Sequence, residues 1–213
     1  MTQNSKRAGR QKGSIREENE GRILLAAEKV FAELGFKGAT TGRIAEEAGV
    51  PKSNVHYYFR TKEAIYKVVM EDLCTTWLSA ARDFDNSHDP AGALRDYINA
   101  KMDLALQRPY GSRVWVNEMT AGAPVIKDYL HDTVKPWMDA HVAVVNHWIA
   151  SGKMRAVVPQ NFIYMIWAST QHYADFEIQI NVMNGDSPLT QDQFETAKQN
   201  VADILLRGVG LLD

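Results

Sequence analysis

The chain has 213 residues, 45% of them hydrophobic, and a net charge of −2, so it can bury a sizeable core. Its single cysteine, Cys74, excludes an internal disulfide framework, and no apolar run approaches the length of a membrane span. Residues 1–67 carry 13 Lys/Arg against 8 Asp/Glu and residues 68–213 carry 11 against 18, a basic head on an acidic body that suits a polyanion-binding module joined to something else.

Residues 1–14 are Gly, Lys, Arg, Ser and Gln with hardly an apolar side chain, so a disordered basic tail is expected. No apolar stretch follows its basic residues, which argues against a signal peptide and for a soluble, cytoplasmic protein. From Ile15 the pattern is helical. Ile23, Ala26, Ala27, Val30, Phe31 and Leu34 recur at three and four, forming one face of a first helix that Gly35 ends. Thr40 or Thr41 caps a second helix with Ile44, Ala45 and Ala48 inside, and Gly49 supplies a turn. Pro51 opens a third. A long helix is predicted from Lys62 to about Phe84, with Ile65, Val69, Leu73, Trp77 and Ala80 in a stripe and Cys74 as a small buried hydrophobe. The Ser-His-Asp-Pro stretch at 87–90 then separates it from a helix reaching about Arg108. Further helices are predicted over 111–121, 125–151, 159–184 and 190–209, punctuated by Gly- and Pro-containing turns such as Pro109-Tyr110-Gly111. The expected fold is all-α with about nine helices. Its expected divisions are the tail at 1–14, a three-helix helix-turn-helix domain at 15–61, and a ligand-binding and dimerisation domain at 62–213.

A recognition helix must be short and carry small polar donors toward the major groove. Lys52, Ser53, Asn54, His56, Tyr57 and Tyr58 meet that need. Lys52, Asn54 and His56 can reach base edges or phosphates, and Ser53 lies near a positive helix N-terminus. The two tyrosines offer hydroxyls to backbone oxygens, while Phe59 locks the helix into the head. Thr40, Thr41 and Lys62 are expected phosphate contacts, Lys62 because a cation at a helix start opposes the helix dipole and wants an anion.

The string Thr-x-x-x-Ile-Ala-x-x-Ala-Gly-Val over 40–50, followed by Tyr57-Tyr58-Phe59-x-x-Lys62-Glu63-Ala64-Ile65-Tyr66, resembles the TetR family of one-component repressors. That resemblance is tight over residues 20–67 and looser over the helical remainder. It implies a homodimer in which each head reads half of a palindromic operator in double-stranded DNA. It also implies a ligand in the C-terminal domain that changes the separation of the heads through the helix starting at Lys62.

Aromatic residues mark where a pocket would lie: Trp77, Trp115, Trp137, Trp148 and Trp167. Trp167, Gln171 and Asp175 fall at i, i+4 and i+8 on one helix face, and His172, Phe176 and Gln179 lie on a neighbouring face suited to a dimer contact. An indole beside a primary amide suits a flat heterocycle with alternating donors and acceptors. The same residues also fit a buried glutamine satisfied by backbone and a tryptophan filling core. Met165 to Phe176, with Glu118-Met119-x-Ala121-Gly122-Ala123-Pro124 and Trp148-x-x-Ser151-Gly152-Lys153, looks like the pyrimidine-utilisation repressors of that family. This narrower resemblance implies a uracil- or thymine-like effector, no cofactor, and Trp77, Trp167 and Gln171 as pocket residues. Trp115 and Asn117 depart from it, standing where a Phe and an apolar residue are expected. Such changes on a pocket wall would favour another ring, such as a purine, a hydantoin or a dihydropyrimidine.

Catalysis is disfavoured. His141 and His147 lack a carboxylate pair at ligand spacing, His131, Asp132 and Asp139 fit a solvated helix surface, and no phosphate loop or nucleophile elbow occurs. Two further readings stay open: a DNA-binding protein whose body only dimerises, and a regulator that senses a lipophilic compound through a long pocket of Leu, Phe and Met.

Overall fold

A computed structural model describes the backbone of residues 3–81, 84 and 88–213, with side chains from residue 16 onward in those ranges. The described residues are all-helical, in the order α1 (Gln3–Gly38), α2 (Thr41–Ala48), α3 (Lys52–Tyr58), α4 (Lys62–Ser79), α5 (Pro90–Gln107) and α6 (Pro109–Thr120). Then come α7 (Lys127–Tyr129), a π-helical turn (Leu130–Val134), α8 (Lys135–Ala150), α9 (Pro159–Asp175), α10 (Glu177–Met183) and α11 (Gln191–Gly208).

Helix α1 starts upstream of the expected boundary at Ile15. Met1 and Thr2 lie outside the described residues, but from Gln3 the backbone is helical where disorder was expected. Lys, Arg, Gln and Ala there are good helix formers, and a helix nucleated downstream extends at little further cost. The helical geometry breaks at Gly35, whose φ of 66° suits glycine, close to where the sequence ends the helix. Leu34, expected on the buried face, is instead exposed.

Helix α4 ends at Ser79, short of Phe84; residues 82, 83 and 85–87, where its predicted end and the start of the following break fall, lie outside the described residues. The helix expected over 125–151 is interrupted by the π turn. Pro136, in the first turn of α8, has no N–H to give and its ring crowds the preceding turn, which a wider helical turn accommodates. The helix expected over 159–184 breaks at Phe176, where φ is −117° and ψ is 30°.

Two hydrophobic clusters form the core. The first joins α1, α2, α3 and the whole length of α4 from Ile65 to Trp77, and takes in Val114, Ala123 and Ile126. Phe31 and Phe36 both meet the Tyr66 ring edge-on at 4.9 Å, binding the head to α4. The second cluster joins α5, α8, α9 and α11 around Phe84, Tyr97 and Trp148. The first cluster therefore passes through residue 62, and α4 belongs equally to the head and to the body.

Candidate functional site

The head presents α3 on a rigid base. Thr40 caps α2 by accepting a hydrogen bond from the Arg43 N–H at 3.1 Å, so its oxygen serves the helix and its hydroxyl hydrogen stays available. Gly49 then turns the chain at φ 62°, and Arg22 Nη2 donates to the last carbonyl of α2, Ala48 O, at 2.8 Å. Val55 and Phe59 are buried and fix the orientation of α3. Lys52, Ser53 and His56 are exposed, Tyr57 is 73% exposed, and Thr41, Asn54 and Tyr58 are half-buried. Lys52 and Arg60 make no ion pair among the described residues and remain open to a phosphate, whereas Lys29 is tied to Glu47 and Arg43 to Glu46.

Lys62 has a different part from the one expected. Its Nζ donates to Phe36 O at 2.6 Å and Ala39 O at 3.0 Å, and lies 4.5 Å from the Phe36 ring centroid. The ammonium is satisfied by carbonyls where α1 ends, which is where a cation is favourable. It pins α4 to α1.

Behind the head, α1, α4 and α6 are joined by charges, of which Glu28 and Glu118 are buried. Arg108, at the start of α6, reaches Glu28 of α1 at 2.5 Å and Asp72 of α4 at 2.8 Å. Gly111 allows this approach: a Cβ there would strike Leu73 and the Glu28 carboxylate. The sequence suggests a turn at Pro109-Tyr110-Gly111, but all three residues are helical, and the glycine serves close packing. Glu118 is 4% exposed and accepts from Tyr66 Oη at 3.0 Å, Val125 N at 2.7 Å and Ile126 N at 3.2 Å. Burial first, then the Glu118 carboxylate, holds the Tyr66 hydroxyl well above its usual titration range.

A cavity of about 90 Å³ lies between α4, α5, α6 and α9. Helix α4 supplies Cys74, Trp77 and Leu78, α5 Tyr97 and Lys101, α6 Trp115, α9 Trp167 and Gln171, and the π turn Val134. That volume suits one small ring; drug-sized compounds occupy pockets of roughly 300–1,000 Å³. Trp77 and Trp115 meet at 5.2 Å and 82°, and Trp167 is fixed by its Nε1 donating to Tyr97 Oη at 2.7 Å. Gln171 Nε2 donates to Ser112 Oγ and, at 3.3 Å, to Asp175 Oδ1, while Ser112 Oγ donates to Asp175 Oδ1 at 2.7 Å. The amide nitrogen is thus engaged, and the carbonyl oxygen is left for the cavity. Asp175 orients Gln171 from behind without lining the cavity, and burial raises its carboxyl above the usual range.

Of the six expected pocket residues, Trp77, Trp115, Trp167 and Gln171 converge, and Asp175 supports them. Asn117 does not join them: it is exposed on the far side of α6, because its helical position faces away from α4 and α9. Lys101, Tyr97 and Ser112 were missed. The signal for Lys101 was present, since it takes a place in the apolar series Leu94, Tyr97, Ile98, Met102 and Ala105 of α5. Burial lowers its ammonium to about 8, and the Trp77 ring beneath it, 4.9 Å away, offsets only ~2 kcal/mol of the desolvation. Cys74 is buried and its thiol is pushed up to about 12, which keeps it an inert hydrophobe. His141 is stacked on Trp137 at 3.8 Å with Nδ1 facing Trp137 O at 2.8 Å. Among the described residues no cluster of side chains could hold a metal, and no helix is long and apolar enough to cross a membrane.

Comparison with known proteins accounts for both halves. Residues 23–69 match bacterial regulatory proteins of the tetR family, and residues 70–212 match the C-terminal region of YcdC-like proteins. The chain is 38% identical over 187 residues to the HTH-type transcriptional regulator RutR of Escherichia coli K12, covering 88% of each. This chain belongs to the TetR family. It is a helix-turn-helix, DNA-binding transcription regulator and not an enzyme. Among solved structures, the ketosteroid transcriptional regulator KstR2 of Mycobacterium tuberculosis superposes with a TM-score of 0.70 at 21% identity, over 89% of this chain and 94% of that one. The TetR-family regulator PfmR of Thermus thermophilus gives 0.68 at 17% identity, over 87% and 94%. Those two likenesses establish a shared fold.

Proposed function

We propose that the protein is a cytoplasmic, homodimeric repressor that leaves a palindromic operator when a small flat heterocycle of the uracil or thymine type enters the cavity between α4 and α9. In this reading it controls nucleobase catabolism. The observation that carries the reading is the cavity itself, with room for a single ring, three indoles around it and one oriented amide. The resemblance of Met165 to Phe176 to pyrimidine-utilisation repressors supports the same class of effector. The volume argues against a lipophilic ligand, which needs a longer chamber.

The output runs through α4. Trp77 stands at the cavity, and Ile65 and Tyr66 of the same helix sit in the core of the head. A ring that binds one setting of α4 better than the other shifts the populations of both, and the head moves with it as a rigid body. Lys52, Ser53, Asn54, His56, Tyr57 and Tyr58 meet the DNA, with Thr40 and Thr41 toward phosphates. Homodimerisation is supported by exposed apolar residues on neighbouring helices, Tyr164 and Met165 of α9, Ile178 and Met183 of α10, and Ile204 of α11. Phe176 and His172 stack beside them at 4.9 Å.

Titration with uracil, thymine, xanthine and a long-chain fatty acid, followed by tryptophan fluorescence, tests the effector class. Quenching by a nitrogen heterocycle and not by the fatty acid is expected; silence with every ring would end the reading. Gln171→Ala should abolish the ligand response and keep operator binding, whereas loss of both would make the glutamine structural.

A further inference from the structure

The charge balance inside the cavity restricts its occupant more than the shape does. Lys101 is 6% exposed, its Nζ lies over the Trp77 ring, and no described residue gives it a hydrogen-bond acceptor or an ion pair. The groups facing it do not neutralise it. From α4, the Cys74 thiol is held protonated by burial. On its own helix, the Tyr97 hydroxyl is buried, accepts from Trp167, and is pushed far above its usual range. From α9, the Asp175 carboxylate is taken up by Ser112 and Gln171 and acts on the ammonium only from a distance. α6 brings the uncharged Trp115 and Ser112. A buried ammonium left this way is a strong demand for an anion. Gln171 meanwhile offers the cavity an acceptor, since its NH₂ is already engaged.

We propose that this narrows the effector from neutral uracil and thymine to a flat ring of the same shape that is ionised at neutral pH, with an anionic oxygen on Lys101 Nζ and a ring N–H donating to Gln171 Oε1. The inference rests on the reading of this cavity as the effector site. A neutral ring fills the same space but leaves the ammonium without a counter-charge. An ionised ring neutralises it while Trp77 and Trp167 cover the apolar faces.

The test compares rings of similar size and different charge on the full chain. At about pH 7.5, barbiturate and orotate are ionised while uracil and thymine are neutral, and tryptophan quenching reports all four. One of the ionised rings should bind roughly 10- to 100-fold more tightly than uracil, the range of a charge-assisted hydrogen bond. Lys101→Met should remove that advantage, weakening the ionised ring at least about tenfold more than uracil. A second measurement needs no variant. Calorimetry at about pH 8.5 in two buffers of different ionisation heat should show uptake approaching one proton per bound anion, because the ammonium is restored by its partner. Uracil or thymine binding as tightly as both anions, or a Lys101→Met loss shared equally by neutral and ionised rings, overturns the anionic effector and leaves the cavity as effector site. Failure of all four rings to quench overturns both.

Discussion

Two sets of charged groups, some distance apart along the same bundle, are treated in opposite ways. At the junction of head and body, Arg108 stands between Glu28 and Asp72, and both carboxylate oxygens of Glu118 accept hydrogen bonds, from Tyr66, Val125 and Ile126. In the cavity, Lys101 has only the face of an indole, and Gln171 keeps a carbonyl unused. The contrast separates structure from function on physical grounds. A charge that the fold pairs with opposite charges fixes geometry, as Arg108 does through both terminal nitrogens although its Nε is left without a partner. One whose partner the fold withholds is a place for something else.

The largest effect that sharpens this comparison should come from Arg108→Ala. It leaves the Glu28 carboxylate buried and alone, so denaturant unfolding should show a loss of about 3–5 kcal/mol. Lys101→Met should do the reverse and stabilise the free protein by ~1–3 kcal/mol, because an uncompensated charge is replaced by packing. This gain has a pH signature. Lys101 is held at about 8 against an ordinary 10.5, so the native chain bears the full penalty below pH 8 and sheds it as pH rises to 10.5. The advantage of the methionine variant should therefore be complete at neutral pH and shrink across that interval. A constant difference would mean that Lys101 is neutralised by the fold, and the comparison would collapse.

Gly111→Ala should cost ~1–3 kcal/mol by driving α6 away from Leu73 and Glu28, and should weaken the transmission of ligand binding to the head. A smaller effect separates two lysines of the head. Lys62→Ala should lower stability by ~1–2 kcal/mol through its lost carbonyl contacts while leaving the salt dependence of DNA binding unchanged. Lys52→Ala should leave stability as it is and reduce the salt slope by about one. If Lys62→Ala changes the slope instead, its ammonium reaches phosphate in the complex.

Much of the head is legible directly from the order of residues. Its second and third helices are short and consecutive, and their cap and turn depend on neighbours a few positions away: Thr40 with Arg43, Gly49 with Ala45 and Glu46. The periodic faces from Ile23 to Phe31 and from Ile65 to Trp77 are buried as their spacing implies. On α9, Trp167, Gln171 and Asp175 align as expected because a single helix sets their relation. Lys101 escapes a reading of aromatic positions although its place in an apolar series marks it. Asn117 misleads because nearness to Trp115 in sequence is not nearness in space. Lys62 misleads for a similar reason: the local dipole argues for an anion, but the carbonyls that satisfy it belong to residues 36 and 39.

Periodicity, caps and turn glycines act over a few residues, so an all-helical chain, a DNA-reading head and the family resemblance follow from residue order alone. Which polar groups are consumed and which are left open does not. That choice depends on α1, α4, α5, α6 and α9 meeting at distances no local pattern encodes. The pairing of Arg108 and the isolation of Lys101 are both products of that packing, and they distinguish a paired frame from an open cavity in the body of this regulator.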